Sequence, residues 1–161
     1  MEGNKETVVY IIVGVILAWG INQGMALALS TDMPVVAVES NSMVPVFYKG
    51  DILVLQGKSQ DELKVDDIIV YSVEGREIPI VHRIVKINPD GSFQTKGDAN
   101  SGQLEFEFKV PYEKIHGKVI TIIPYLGFVK IGVMQYVLPN ALYLLIISII
   151  IAVVYYRRRL I

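Results

Sequence analysis

Twenty-three consecutive residues, Val8 to Ser30, carry no charge. As a helix rising ~1.5 Å per residue, the run reaches about 34 Å and crosses the hydrocarbon core of a bilayer. A polar leader, Met1 to Thr7 with Lys5 as its one cation, precedes it. Asn22 and Gln23 are costly in lipid and belong against a partner helix or at the interface. Gly20 and Gly24 are spaced for close helix contact, a pattern that the tolerance of membrane helices for glycine explains equally well. Ala26-Leu27-Ala28 has the small-x-small form of a signal-peptide cleavage site. The weakly basic leader and the length of the run favour a retained anchor over 8–30.

The C-terminal end is apolar too. Residues 125–139 are broken by Gly127, Lys130, Gly132 and Gln135. They read as a segment lying along the membrane surface, with Tyr125, Phe128 and Tyr136 at headgroup level. Pro139-Asn140 then opens a second span, 140–156, whose run Ala141 to Tyr156 is uncharged. Arg157-Arg158-Arg159 follows directly, in a tail over 157–161. Arginines beside a span place that end in the cytoplasm. Two spans put both termini in the cytoplasm of a cell-membrane protein and residues 31–124 outside.

Composition narrows the chemistry. With no cysteine in 161 residues, a thiol nucleophile, a cysteine–zinc site and a disulfide framework are excluded. Two histidines, His82 and His116, make a histidine-rich metal centre a poor fit. A net charge of −1 offers no nucleic-acid surface.

Between Pro34 and Pro124 the pattern is strand and turn. The strand candidates are Val35–Glu39, Ile52–Leu55, Asp67–Val73, Ile80–Ile87, Ser92–Lys96 and Ile115–Ile123. Asn88-Pro89-Asp90-Gly91 reads as the hairpin loop joining the fourth and fifth. Short strands at this density predict a small antiparallel β-barrel or sandwich.

One polar stretch interrupts the strands, Glu39-Ser40-Asn41-Ser42-Met43-Val44-Pro45-Val46-Phe47-Tyr48-Lys49-Gly50-Asp51. Pro45 pushes Val44 away from helix, so Ser42 sits on a stiff loop. A hydroxyl held there suits a nucleophile, and equally a loop serine bonding to its own backbone. His82 shares a strand face with Ile80 and Ile84, which suits a core histidine as well as a base. His116 and the pair Asp66-Asp67 read as ordinary turn and strand-edge residues.

The stretch Ser42-Met43-Val44-Pro45, followed by Gly50-Asp51-Ile52, resembles the nucleophile box of type I signal peptidases. Ile80-Val81-His82-Arg83-Ile84 resembles their general-base box, and Lys96-Gly97-Asp98-Ala99-Asn100 their Gly-Asp-x-Asn box. The resemblance covers about residues 8 to 123. His82 stands where the bacterial enzymes have a lysine. In this the chain is similar to the archaeal and endoplasmic-reticulum branch, which contains the catalytic subunits of the eukaryotic signal peptidase complex.

The resemblance implies a membrane-bound serine endopeptidase acting on signal-peptide-bearing preproteins with small residues at −1 and −3. It implies Ser42 as nucleophile and His82 as general base. The Ser42 backbone N–H and the Ser40 hydroxyl would form the oxyanion hole, and Asp98 would orient the histidine. No metal or organic cofactor is required; the bilayer, and partner subunits or secretion machinery, are the expected company. Histidine-type members carry a further aspartate six positions after the first. Leu104 stands there, with Glu105 next and Glu107 beyond, so Glu105 is the second candidate for the orienting acid. The reading from another class is a non-catalytic, membrane-anchored β domain that binds partners or assembles a complex.

Overall fold

The computed structural model describes residues 2–128, together with 139, 140, 143, 146, 147, 150, 155 and 156. One helix, α1 (Glu2–Ala28), leads into six strands: β1 (Val35–Ala37), β2 (Ile52–Gln56), β3 (Ile68–Tyr71), β4 (Ile80–Ile87), β5 (Phe93–Lys96) and β6 (Ile115–Ile123). All six pair antiparallel in one sheet of order β1-β2-β6-β3-β4-β5. In place of the expected barrel or sandwich stands one continuous antiparallel sheet, with register shifts at Val54/Leu55, Val70/Tyr71 and Ile84/Lys86. Its β1 and β5 edges share no ladder among the described residues.

Helix α1 is long and apolar enough to cross a membrane over Glu6–Ala28, and no residue of that stretch is buried in the rest of the chain. It is the one such helix among the described residues. Most of the expected second span, 140–156, and most of the expected surface segment, 125–139, lie outside the described residues. The helix ends in a Schellman turn, with Ser30 N–H donating to Leu27 O and Thr31 N–H to Ala26 O. The left-handed position is held by Ser30 at φ 52° rather than by glycine, which costs about 1–2 kcal/mol.

Alternation along the strands separates core from surface. In β2, Leu53 and Leu55 are buried between half-buried neighbours. In β4, His82 and Ile84 are buried while the last three residues are exposed. Strand β3 is covered on both faces. Val70 joins Val38, Met43, Phe47, Leu53 and Leu55 in one core, and Ile69 and Tyr71 join Leu63, Ile84, Phe93 and Val110 in a second. Each large apolar side chain sealed in this way contributes about 1.5–3 kcal/mol. The β4–β5 hairpin turns at Asn88–Gly91, with Gly91 at φ +83° and Asn88 N–H bonded to Ser92 O at 2.8 Å.

Candidate active site

The serine loop is fastened along its length. Val38 N–H donates to Asp51 O and Gly50 N–H to Val38 O, both at 2.9 Å, so the chain returns beside its start. Asn41 Oδ1 accepts the Lys49 N–H at 2.8 Å and Asp51 Oδ2 the Tyr48 N–H at 2.9 Å. Met43 and Phe47 sink into the first core, which leaves Ser42 at the surface of a turn closed by Val46 N–H to Met43 O at 2.8 Å. The stiff, non-helical loop expected around Pro45 is present.

Strand β4 brings His82 to this turn. Its Nε2 lies 3.1 Å from Ser42 Oγ. Its Nδ1 donates to Glu107 Oε1, which fixes the tautomer and leaves Nε2 to accept the serine proton. Glu107 is wholly buried at the end of the short 3-10 turn Glu105–Glu107. Its second oxygen accepts the Leu104 N–H at 2.6 Å, so the carboxylate cannot swing. Burial holds the His82 pKa below the ordinary histidine value, against the opposing pull of Glu107. At pH 7 the ring is neutral and able to take a proton.

Neither acid named from sequence lies behind His82. Arg83 points to the other side of β4 and claims Asp98, its Nε and Nη2 donating to the two carboxylate oxygens at 2.9 and 2.6 Å. Glu105 faces solvent. The carboxylate at His82 belongs to Glu107, three residues past the family's position. The missed signal is the spacing Leu104-x-x-Glu107, a glutamate that reaches back to the N–H three residues earlier as in a capping box.

Asp98 still bears on the site through its loop. Ala99 N–H donates to Ser42 O at 2.8 Å. A Cβ on Gly97 would stand 2.7 Å from Ser42 O and 2.8 Å from His82 Nε2, so only glycine lets the loop close on the dyad. The Arg83–Asp98 pair thereby clamps the loop that backs the serine.

Ser40 Oγ lies 3.2 Å from Ser42 Oγ, and the Ser42 N–H has no acceptor among the described residues. Both serines and His82 open on a cleft of about 440 Å³. Val36, Ala37, Val38, Ile78 to Val81, Leu104 and Phe106 line it. A hydroxyl bonded to a neutral imidazole, a buried carboxylate behind the ring and free donors beside the hydroxyl can together perform acyl transfer.

No protein-family profile matches the chain. The chain is 33% identical over 135 residues to the signal peptidase complex catalytic subunit SEC11C of Homo sapiens and of Canis lupus familiaris, covering 78% of this chain and 69% of theirs. To the signal peptidase complex catalytic subunit sec11 of Sclerotinia sclerotiorum it is 38% identical over 118 residues, 68% of this chain and 69% of that one. By this similarity the chain belongs to the family of signal peptidase complex catalytic subunits.

Proposed function

We propose that this protein is a membrane-anchored serine endopeptidase that removes signal peptides from preproteins. Ser42 is the nucleophile, His82 the general base and Glu107 the acid that orients it. The observation that carries the reading is the line Ser42–His82–Glu107 at the wall of an apolar cleft. Ser42 Oγ attacks the scissile carbonyl as its proton passes to His82 Nε2. The Ser42 N–H and the Ser40 hydroxyl receive the oxyanion. Collapse breaks the C–N bond, and the imidazolium gives its proton to the departing amine. Water, deprotonated by His82, then hydrolyses the acyl-enzyme and frees Ser42.

The substrate lies extended along the free edge of β1, adding a strand to the sheet. Small side chains at −1 and −3 fit the shallow wall formed by Val36, Val38 and Val81. Helix α1 anchors the domain, a second span follows, and both termini face the cytoplasm. Partner subunits complete the enzyme, as the names of its relatives suggest.

The test is cleavage of a preprotein in detergent by wild type and Ser42→Ala, with a serine-directed acylating probe in parallel. Cleavage and labelling should both vanish in the variant. A Ser42→Ala protein that cuts at the wild-type rate would overturn the assignment. A membrane-impermeant label applied from the cytoplasm should reach both termini and not the loop at 58–62.

A further inference from the structure

The end of α1 is tied to three strands. Gly57, just after β2, donates its N–H to Leu29 O at 2.8 Å, and the Ser30 carbonyl occupies the space that a Gly57 Cβ would need. The Thr31 hydroxyl donates to His116 O in β6 at 2.7 Å. His116 Nδ1 donates to the Asp32 carboxylate, 3.0 Å from each oxygen, and Nε2 accepts the hydroxyl proton of Ser72, just after β3, at 2.7 Å. Ser30 itself sits in a left-handed conformation. Strain of this kind persists only where the surroundings over-determine it. The chain then runs straight to the nucleophile: Leu55 N–H holds Pro34 O at 3.0 Å, β1 follows, and Ser42 lies ten residues past Asp32.

We propose that this joint is a rigid spacer that fixes the height of Ser42 above the bilayer, with Asp32, His116 and Ser72 as positioning residues. The inference rests on the reading of α1 as a membrane span and of Ser42 as the nucleophile. A signal peptide whose apolar segment is still in lipid presents its scissile bond at one height. A stiff joint keeps the serine at that height, whereas a loose one spends encounters at wrong heights. A soluble peptide has no height, so its cleavage does not need the joint.

Full-length wild type, Asp32→Asn, His116→Gln and Gly57→Ala are reconstituted in liposomes and assayed on a preprotein. The same proteins in detergent are assayed on a soluble peptide with the same cleavage site. Product ends are read by mass spectrometry. The variants should lose ~10-fold or more in preprotein kcat/KM and give mixed product ends, while the peptide rate stays within about 2-fold. Gly57→Ala should give that split without removing a charge. Asp32 is mostly exposed, so Asp32→Asn keeps the fold if Gly57→Ala does not. Parallel loss on both substrates by Asp32→Asn would make the cluster a fold element, and no loss on either would leave it without a role; each overturns the inference. A wild type that cuts neither substrate instead sinks the peptidase reading, and this one with it.

Discussion

Two serine–histidine–carboxylate chains run through this molecule, and they differ in everything but connectivity. Ser42–His82–Glu107 has its acid sealed at 0% exposure, both carboxylate oxygens bonded and its serine on the wall of a cleft. Ser72–His116–Asp32 has an acid 69% exposed, and the Ser72 N–H is spent on Lys114 O. The cleft of about 470 Å³ beside it reaches His116 and Asp32 but not Ser72. A hydrogen-bonded triad becomes a catalyst when its charge is kept from water and its hydroxyl meets a substrate with oxyanion donors at hand. The second chain has the bonds without those conditions, and its geometry serves to hold a helix end in place.

The comparison can be broken at several points. The largest difference is expected between the two serines. Ser42→Ala should reduce soluble-peptide cleavage by ~10³-fold or more, and Ser72→Ala should leave it within about 2-fold. Equal losses would erase the distinction. Next come the acids. Glu107→Gln keeps shape, removes charge and lets the wrong tautomer form, so kcat should drop about 10²- to 10⁴-fold, with Asp32→Asn and Glu105→Gln near wild type on the same peptide. A larger loss for Glu105→Gln would return the orienting role to it.

The pH profile is third. Because burial lowers the His82 pKa, the rate should hold through pH 7 and fall on acidification, about tenfold per unit, with a midpoint below ~6.5. The sign for stability follows. The unfolded chain takes up a proton near pH ~6.5 while folded His82 does not, so stability is lost as pH falls from there towards the folded pKa. A flat rate from pH 5 to 8 in folded protein would remove His82 as the base. The smallest effect is that of Asp98→Asn. It unpairs Arg83, should lower stability by about 1–2 kcal/mol, and should slow cleavage by ~10-fold through the loosened loop at Ser42. Losses as deep as those of Glu107→Gln would put Asp98 at the chemistry itself.

Much of this was legible because it is local. Strands β4 and β6 have the bounds that branched-residue alternation predicts, and the Asn88–Gly91 hairpin is where its turn residues place it. Ser42 and His82 stand out through motif and order. The carboxylate beside His82 did not, because the Leu104-x-x-Glu107 spacing marks only a local turn, and Glu107 reaches His82 through the tertiary approach of the 103–108 loop. Asp98 comes to β4, as the hairpin predicts, but bonds Arg83 there. Arg83 and His82 are neighbours on β4 whose side chains leave opposite faces, and Asp98 arrives on the arginine's side. Closure into a barrel is likewise a long-range property, beyond what strand spacing determines. His116 looked like an ordinary strand residue because its partners, Asp32 and Ser72, are 84 and 44 positions away.

Strand β1 is three residues long and unpaired on its cleft side among the described residues. A peptide laid along so short a template is read with the parity of the pleat: every second side chain turns to the same wall. Under the proposed function, the residues one and three before the scissile bond share a wall, and the one between them points away and goes unread. Selectivity at −1 and −3 is then one consequence of backbone geometry, with no need for two separately shaped pockets. The same pairing asks the peptide for its own N–H groups. A proline at a paired position withdraws one and should be refused however small its neighbours are.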